Sequence, residues 1–229
     1  RQMCIRDRFS HQCSKKSSKK ISAGLLRWFR KNQRDLPWRR TRDPYRIWVS
    51  EVMLQQTRVD TVLPYYQAFL RRFPDVNTLA RSRLQSVLKI WEGLGYYGRA
   101  RNLHKAAKLI VKEYEGCLPD SPKALHQLPG LGTYSVGAIG SIAYNIPLPA
   151  VDGNAHRVLS RLFGIQSNSG NHEVRRKVDA LAKSLVSKGD PPRPGDTNQA
   201  LMDMGALICL PRKPKCTDCP LQLLSLIHI

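Results

Sequence analysis

No stretch of this chain is apolar for long enough to cross a membrane. The least charged segment, Leu128 to Val151, is interrupted by Pro129, Pro147, Pro149 and several glycines, so it reads as a buried helix with flanking loops. The start, RQMCIRDRFSHQCSKKSSKK, has basic residues but no apolar core of the kind a secretory signal carries. Almost no segment alternates with period two, which leaves little room for sheets, and no internal repeat is present. Cysteine is sparse and uneven: of six, Cys209, Cys216 and Cys219 cluster near the end, a pattern of metal ligation in a reducing compartment rather than of a disulfide framework. An intracellular protein is expected, in a bacterial cytoplasm or a eukaryotic nucleus or mitochondrion. Acidic residues are scarce as well. Only 17 Asp and Glu face 38 Lys and Arg, for a formal charge of +21. Such an excess favours a polyanionic partner, nucleic acid above all, although ribosomal and membrane-surface proteins share it.

What is present is a helical pattern with enough apolar residues, 41% of 229, for one large or two small domains. Residues 1–20 carry seven Lys or Arg and one Asp and are expected to be a disordered basic arm. From Ile21 onward Leu25, Leu26, Trp28 and Phe29 have amphipathic spacing. Asp43-Pro44 supplies an N-cap and a first-turn proline for a helix carrying Ile47, Trp48, Val52, Met53, Val59, Val62 and Leu63. Helices follow over 65–73, 79–91, 100–114 and 122–128, then beyond Asp152 over 155–163, 173–186 and 197–208. The fold class expected is all-α.

Several stretches carry chemistry. In LPGLGTY, Gly130 and Gly132 permit positive φ and Pro129 stiffens the entry. At a helix N-terminus such a turn aims free N–H groups at an anion, here a DNA phosphate, and the helix from Pro122 makes it a helix-hairpin-helix. An ordinary interhelical connection has the same composition. Asp152, in PAVDGNAHRV, stands where an N-cap is expected; an ionised carboxylate there can also stabilise or trap a cationic sugar carbon. Asn154 can orient that carboxylate or share the capping. Glu51 sits in SEVMLQQT among apolar neighbours, which makes it either a solvated helix residue or a carboxyl with a raised pKa that protonates a leaving base. Gln55 and Gln56 are surface glutamines or base-edge partners that fill the gap left by a flipped nucleotide. GLGYYGR offers Tyr96 and Tyr97 as wedges into a base stack, with Arg99 and Arg101 on phosphate, or as core tyrosines. Cys209, Cys216 and Cys219 can hold a [4Fe-4S] cluster or zinc if a fourth ligand is found.

Taken together, SEVMLQQT, WEGLGYYGRARNLHKAA, LPGLGTYSVGAI, PAVDGNAHRVLSR and C-x6-C-x2-C resemble the adenine DNA glycosylases of the MutY type, within the helix-hairpin-helix superfamily, over about Leu25 to Gln222. The resemblance implies a two-domain fold with DNA in the cleft between a six-helix domain and an iron-sulfur cluster domain. It implies a monofunctional base-excision enzyme that hydrolyses the N-glycosidic bond of adenine mispaired with 8-oxoguanine or guanine in double-stranded DNA. Glu51 matches the acid that protonates adenine N7, and Asp152 the carboxylate at C1′. Tyr134 and Asn154 match their assistants, Gln56 and Tyr96 the intercalating positions, and Leu128, Gly130 and Gly132 the DNA-binding hairpin. Endonuclease III type lyases carry a Schiff-base lysine where this chain has Tyr134, and a phenol cannot form that adduct.

By the same resemblance the iron-sulfur domain spans 21–43 and 146–222 and the six-helix domain 44–145. Ser225 stands where the fourth cluster cysteine is expected, so a [4Fe-4S] cofactor would have one ligand changed. Both termini, RQMCIRDR and the 223–229 tail with its LLSLIHI, are expected not to be native. The family's C-terminal 8-oxoguanine-recognition domain has no counterpart in the sequence. A monomer is expected, with no membrane partner. The alternatives are an endonuclease III type glycosylase/lyase and a noncatalytic helix-hairpin-helix DNA-binding fragment.

Overall fold

The computed structural model describes residues 11–166, 171–188 and 192–226, with side chains from Ser18 onward. Among them there is no strand. The helices are α1 (His11–Asn32), α2 (Pro44–Leu54), α3 (Val59–Arg72), α4 (Val76–Arg81), α5 (Leu84–Trp91), α6 (Gly98–Glu113), α7 (Pro122–Gln127), α8 (Thr133–Tyr144), α9 (Gly153–Leu162), α10 (His172–Val186) and α11 (Pro194–Leu207). The chain divides into two compact units, one of Asp35–Tyr144 and one of the segments on either side of it.

The central unit is built on α2. The Asp43 carboxylate accepts from the Tyr45 and Arg46 amides at 2.9 and 3.4 Å, and Pro44 follows at N1, so the helix starts where local chemistry dictates. Every residue from Ile47 to Met53 is buried, Glu51 included. The neighbour α8 buries Ser135 through Ser141, and its small Gly137, Ala138 and Gly140 let the two helices come close. Around them Val62 and Phe69 of α3, Trp91 of α5 and Leu103 and Ile110 of α6 are fully or almost fully buried, each contributing about 1.5–3 kcal/mol. Leu36 and Trp38 join this unit, with the Trp38 ring edge-on to Tyr66 at 5.2 Å. Residues 35–43, expected with the other domain, therefore pack here.

Two helices expected to be continuous are broken. The one carrying Ile47 through Leu63 stops at Leu54 and restarts at Val59, with Gln56 at φ 57°. The carbonyls ending α2 are taken by a guanidinium instead of by the next turn, as described below. The helix expected over 79–91 divides at Ser82-Arg83, where the Ser82 carbonyl meets His104 Nε2 at 3.0 Å.

The second unit packs α1, α9, α10 and α11 around one core: Ile21, Leu25 and Phe29 at helical spacing, then Val158, Leu159 and Leu162, with Leu185, Leu201 and Met204 opposite. The expectation of a disordered arm through residue 20 is corrected for 11–20, which belong to α1. Ser18 and Ile21 are buried, and burial of that face outweighs the modest helix preference of Ser. The first ten residues of the arm, and 227–229 of the tail, lie outside the described residues. Arg34 Nε and Nη2 donate to Asp203 Oδ1 at 2.9 and 2.6 Å, anchoring the exit of α1 to a fully buried carboxylate on α11.

Candidate active site and cysteine-lined cavity

Glu51 on α2 and Gln55, the residue that caps the end of α2, both meet the start of α8. The Tyr134 hydroxyl donates to Glu51 Oε2 at 3.0 Å, and Gln55 Nε2 donates to Ser135 Oγ at 3.2 Å. Glu51 is only 6% exposed; the phenol fixes the plane of its carboxyl group. A buried carboxyl held this way is suited to proton transfer in one direction rather than to a surface ion pair.

The turn between α7 and α8 is the expected hairpin. Ser121 Oγ caps α7 by accepting from the Ala124 amide at 3.2 Å. Gly130 has φ +84°, and a Cβ on it would lie 2.9 Å from Asn102 Cβ, so both conformation and space require glycine. Gly132 differs from expectation: its φ is ordinary, and a Cβ there would meet nothing within 4 Å. Its lack of a side chain instead leaves open ground before α8. The first α8 bond runs from the Val136 amide to the Gly132 carbonyl at 3.0 Å, so the Thr133, Tyr134 and Ser135 amides precede the ladder, at the positive end of the helix. Leu128 was expected among DNA contacts, but its side chain is 2% exposed; it packs in the core because it closes the end of α7, where its own carbonyl accepts from Leu131.

Gln56 is exposed, Tyr96 is 64% and Tyr97 39% exposed, and Arg101 points to solvent from α6. Arg99 does not join them. Its guanidinium is 9% exposed as a residue and bonded to backbone carbonyls, so the expected phosphate contact is replaced by an internal one.

In the other unit Asp152 is the N-cap of α9, accepting from the Ala155 amide on Oδ1 at 2.7 Å. Its second oxygen accepts from Asn154 Nδ2 at 2.8 Å. The capping and orienting readings thus hold together, and each carboxylate oxygen keeps a lone pair in hand. Three residues that sequence reasoning missed support this loop. Arg157 Nη2 donates to Asn154 Oδ1 at 2.8 Å and to the Gly205 carbonyl at 2.7 Å, while its Nε donates to the Cys209 carbonyl at 2.8 Å. Asn198, fully buried on α11, accepts from the Ala150 amide at 3.0 Å and donates to the Leu148 carbonyl at 2.8 Å. Gly205 lets α11 lie directly against Asn154. Only the proximity of Arg157 to Asp152 in PAVDGNAHRV hinted at any of this.

Cys209, Cys216, Cys219 and Ser225 line one cavity of about 300 Å³, walled by Met204 and Leu221 among others. Arg161 Nη1 donates to Cys209 Sγ at 3.4 Å and to the Leu210 carbonyl at 2.7 Å. Burial raises the Cys219 thiol pKa, against a smaller lowering by a backbone hydrogen bond at Leu221, with Cys209 and Cys216 adding to the rise. Among the described residues no three His, Cys, Asp or Glu side chains converge as a single ion requires. Zinc would need its sulfurs at about 2.3 Å from one point.

With this geometry in view, comparison with known proteins gives a family. The profile described as HhH-GPD superfamily base excision DNA repair protein matches residues 49–184, more than half of the chain. The chain belongs to the HhH-GPD superfamily. The adenine DNA glycosylase of Buchnera aphidicola from Acyrthosiphon pisum is 42% identical over 199 residues, covering 86% of this chain and 56% of that protein. The human adenine DNA glycosylase is 44% identical over 207 residues, covering 86% and 37%. The chain thus spans about half, or less, of the length of these curated relatives. Among solved structures a thermostable thymine-DNA glycosylase superposes with TM-score 0.83 at 32% identity, over 93% of this chain and 97% of that one. An endonuclease III–DNA complex superposes with TM-score 0.76 over 93% and 96%, at 21% identity, a likeness of HhH-GPD fold alone. No helix among the described residues is long and apolar enough to cross a membrane.

Proposed function

We propose that this chain is a DNA repair glycosylase that binds duplex DNA and hydrolyses the N-glycosidic bond of adenine mispaired with 8-oxoguanine or guanine. The observation that carries the reading is the buried Glu51 carboxyl held by the Tyr134 hydroxyl at 3.0 Å, at the head of the hairpin helix. Glu51 gives its proton to adenine N7. The C1′–N9 bond then breaks with its electron pair leaving on the base, and the sugar becomes cationic at C1′. Asp152, its plane set by Ala155 and Asn154, supplies the compensating charge. A water oxygen adds to C1′ and releases one proton to bulk solvent, from which Glu51 is reprotonated. Gly132 and the leading amides of α8 receive a phosphate, while Gln56 and Tyr96 occupy the space left by the extruded base. The likeness to adenine DNA glycosylases supports the base assigned.

The lining of the 300 Å³ cavity supports a [4Fe-4S] cluster held by Cys209, Cys216 and Cys219, with Ser225 the fourth side chain present. When bound, such a group would brace the end of α11 to the C-terminal loop. Arg161 and Arg157 act on the same loop by satisfying the carbonyls of Cys209 and Leu210.

The test is single-turnover adenine release from a duplex carrying A opposite 8-oxoguanine, with Glu51→Gln and Asp152→Asn alongside. Removing the general acid lowers the rate by about 100- to 10,000-fold with duplex binding retained. A wild-type chain that binds the duplex but releases no adenine would overturn the reading in favour of a DNA-binding module.

A further inference from the structure

Arg99 has an environment that neither its sequence position nor the proposed chemistry accounts for. It stands in the first turn of α6, the positive end of that helix, with no acidic residue in that turn, a placement that disfavours a cation. The four N–H bonds of its two terminal nitrogens face five backbone carbonyls, so one of the Nη1 hydrogens is shared between two acceptors, while its buried Nε–H has no partner. Nη1 donates to Val52, Met53 and Gln55 at 3.2, 2.7 and 2.5 Å, and Nη2 to Leu94 and Gly95 at 3.2 Å each. Val52 and Met53 are among the last carbonyls of α2, which lack partners within their own helix. Arg99 is thus a C-cap for α2 delivered from another helix, and with the same group it holds the loop before Tyr96. Its carbon Cζ also lies 5.5 Å from the centroids of both the Trp91 and the Tyr96 rings.

The two turns joined in this way carry non-glycine residues in the left-handed region, Gln56 at φ 57° and Tyr96 at φ 48°. Such conformations persist where surrounding structure over-determines them. Gln56 and the 64%-exposed Tyr96 are both exposed in these turns. We infer that Arg99 is a positioning residue that locks the Gln56 turn and the Tyr96 turn into one rigid unit, so that the two side chains enter a duplex together. The entry into DNA rests on the function proposed above; the lock itself does not. Lysine cannot replace this fork, because a single ammonium has three donors from one point.

The lock is tested first without DNA, by amide hydrogen exchange. Arg99→Lys should accelerate exchange of the amides at 56–58 and at 95–97 by a common factor of about tenfold or more, leaving α9 and α11 at wild-type rates. Acceleration of one turn without the other, or of neither, overturns the proposal. The second measurement is the Kd for a duplex with a non-hydrolysable 2′-fluoro-adenosine opposite 8-oxoguanine, for Gln56→Ala, Tyr96→Ala and the pair. A locked unit gives a double variant weakened far less than the product of the two single losses, and this coupling is lost in Arg99→Lys. Independent losses in the wild-type background overturn the lock even if Arg99→Lys fails to fold. A wild-type chain that shows coordinated exchange but no duplex binding defeats the function reading and leaves the lock standing.

Discussion

Gly205→Ala tests the support of the Asp152 carboxylate through a single methyl group. A Cβ at position 205 would lie 2.6 Å from Asn154 Cβ, 2.8 Å from its carbonyl oxygen and 2.9 Å from its carbonyl carbon. Carbon atoms rest at about 3.5–4.0 Å, so the shortfall is about 1 Å. Two of the three obstructing atoms are backbone, which leaves no rotamer to relieve the contact; α9 and α11 must separate. Overpacking of this kind costs about 1–3 kcal/mol. At about 2–4 °C per kcal/mol for a chain of this size the unfolding midpoint falls by roughly 2–12 °C. The same displacement stretches the bond from Arg157 to the Gly205 carbonyl, now 2.7 Å, and shifts Asn154, whose amide is 2.8 Å from Asp152. A misplacement of about 1 Å in a reacting group costs on the order of 100-fold in rate. The assay pairs thermal unfolding by circular dichroism with single-turnover adenine release. Gly153→Ala, with nothing within 4 Å of its Cβ, is the control for stability. If Gly205→Ala kept both the wild-type midpoint and the wild-type rate, the argument from close approach to carboxylate placement would be refuted.

Ser225→Cys places a fourth thiol in the cysteine-lined cavity and should raise the iron and sulfide recovered per chain, with stronger broad visible absorbance. Unchanged iron content would count against a single cluster site there. Asn198→Ala strips a buried amide from the Ala150 N–H and the Leu148 carbonyl. Each orphaned group costs about 1–3 kcal/mol, so unfolding should shift to lower denaturant with the slope unchanged. Tyr134 offers no amine for a Schiff base, so borohydride should trap little protein on DNA while adenine is released; strong trapping would favour a lyase.

How far the site could be read in advance depended on what kind of neighbour each residue has. The helical class followed from spacing alone, and Glu51 could be picked out because Trp48, Val52 and Met53 surround it in sequence as well as in space. Asp152 was legible for a similar reason: an Asp before a helix is a cap, and Asn154 lies within reach of it two residues on. Arg99 was misread because a guanidinium beside glycines and tyrosines suits a phosphate as well as it suits carbonyls. Only the fold decides, by ending α2 where its last carbonyls face α6. That same ending explains the break at Gln56, which periodicity had passed over because Ile47 through Leu63 keep an apolar helical stripe across it. The two errors therefore have one cause.

Asn198, Arg157 and Gly205 were invisible for a different reason, since the partners of each lie about fifty residues away. Their bonds show how the carboxylate loop is held. Asp152 is fixed by local capping, but the loop before it and the nearby Asn154 are fixed by α11, the helix that leads into Cys209. Arg157 donates both to Asn154 and to the Cys209 carbonyl, so whatever orders the cysteine loop also orders the amide on Asp152. Glu51 is held within its own unit, where α8 supplies the Tyr134 hydroxyl. A change in the cysteine-lined cavity should accordingly reach the Asp152 carboxylate through Arg157 and Asn154.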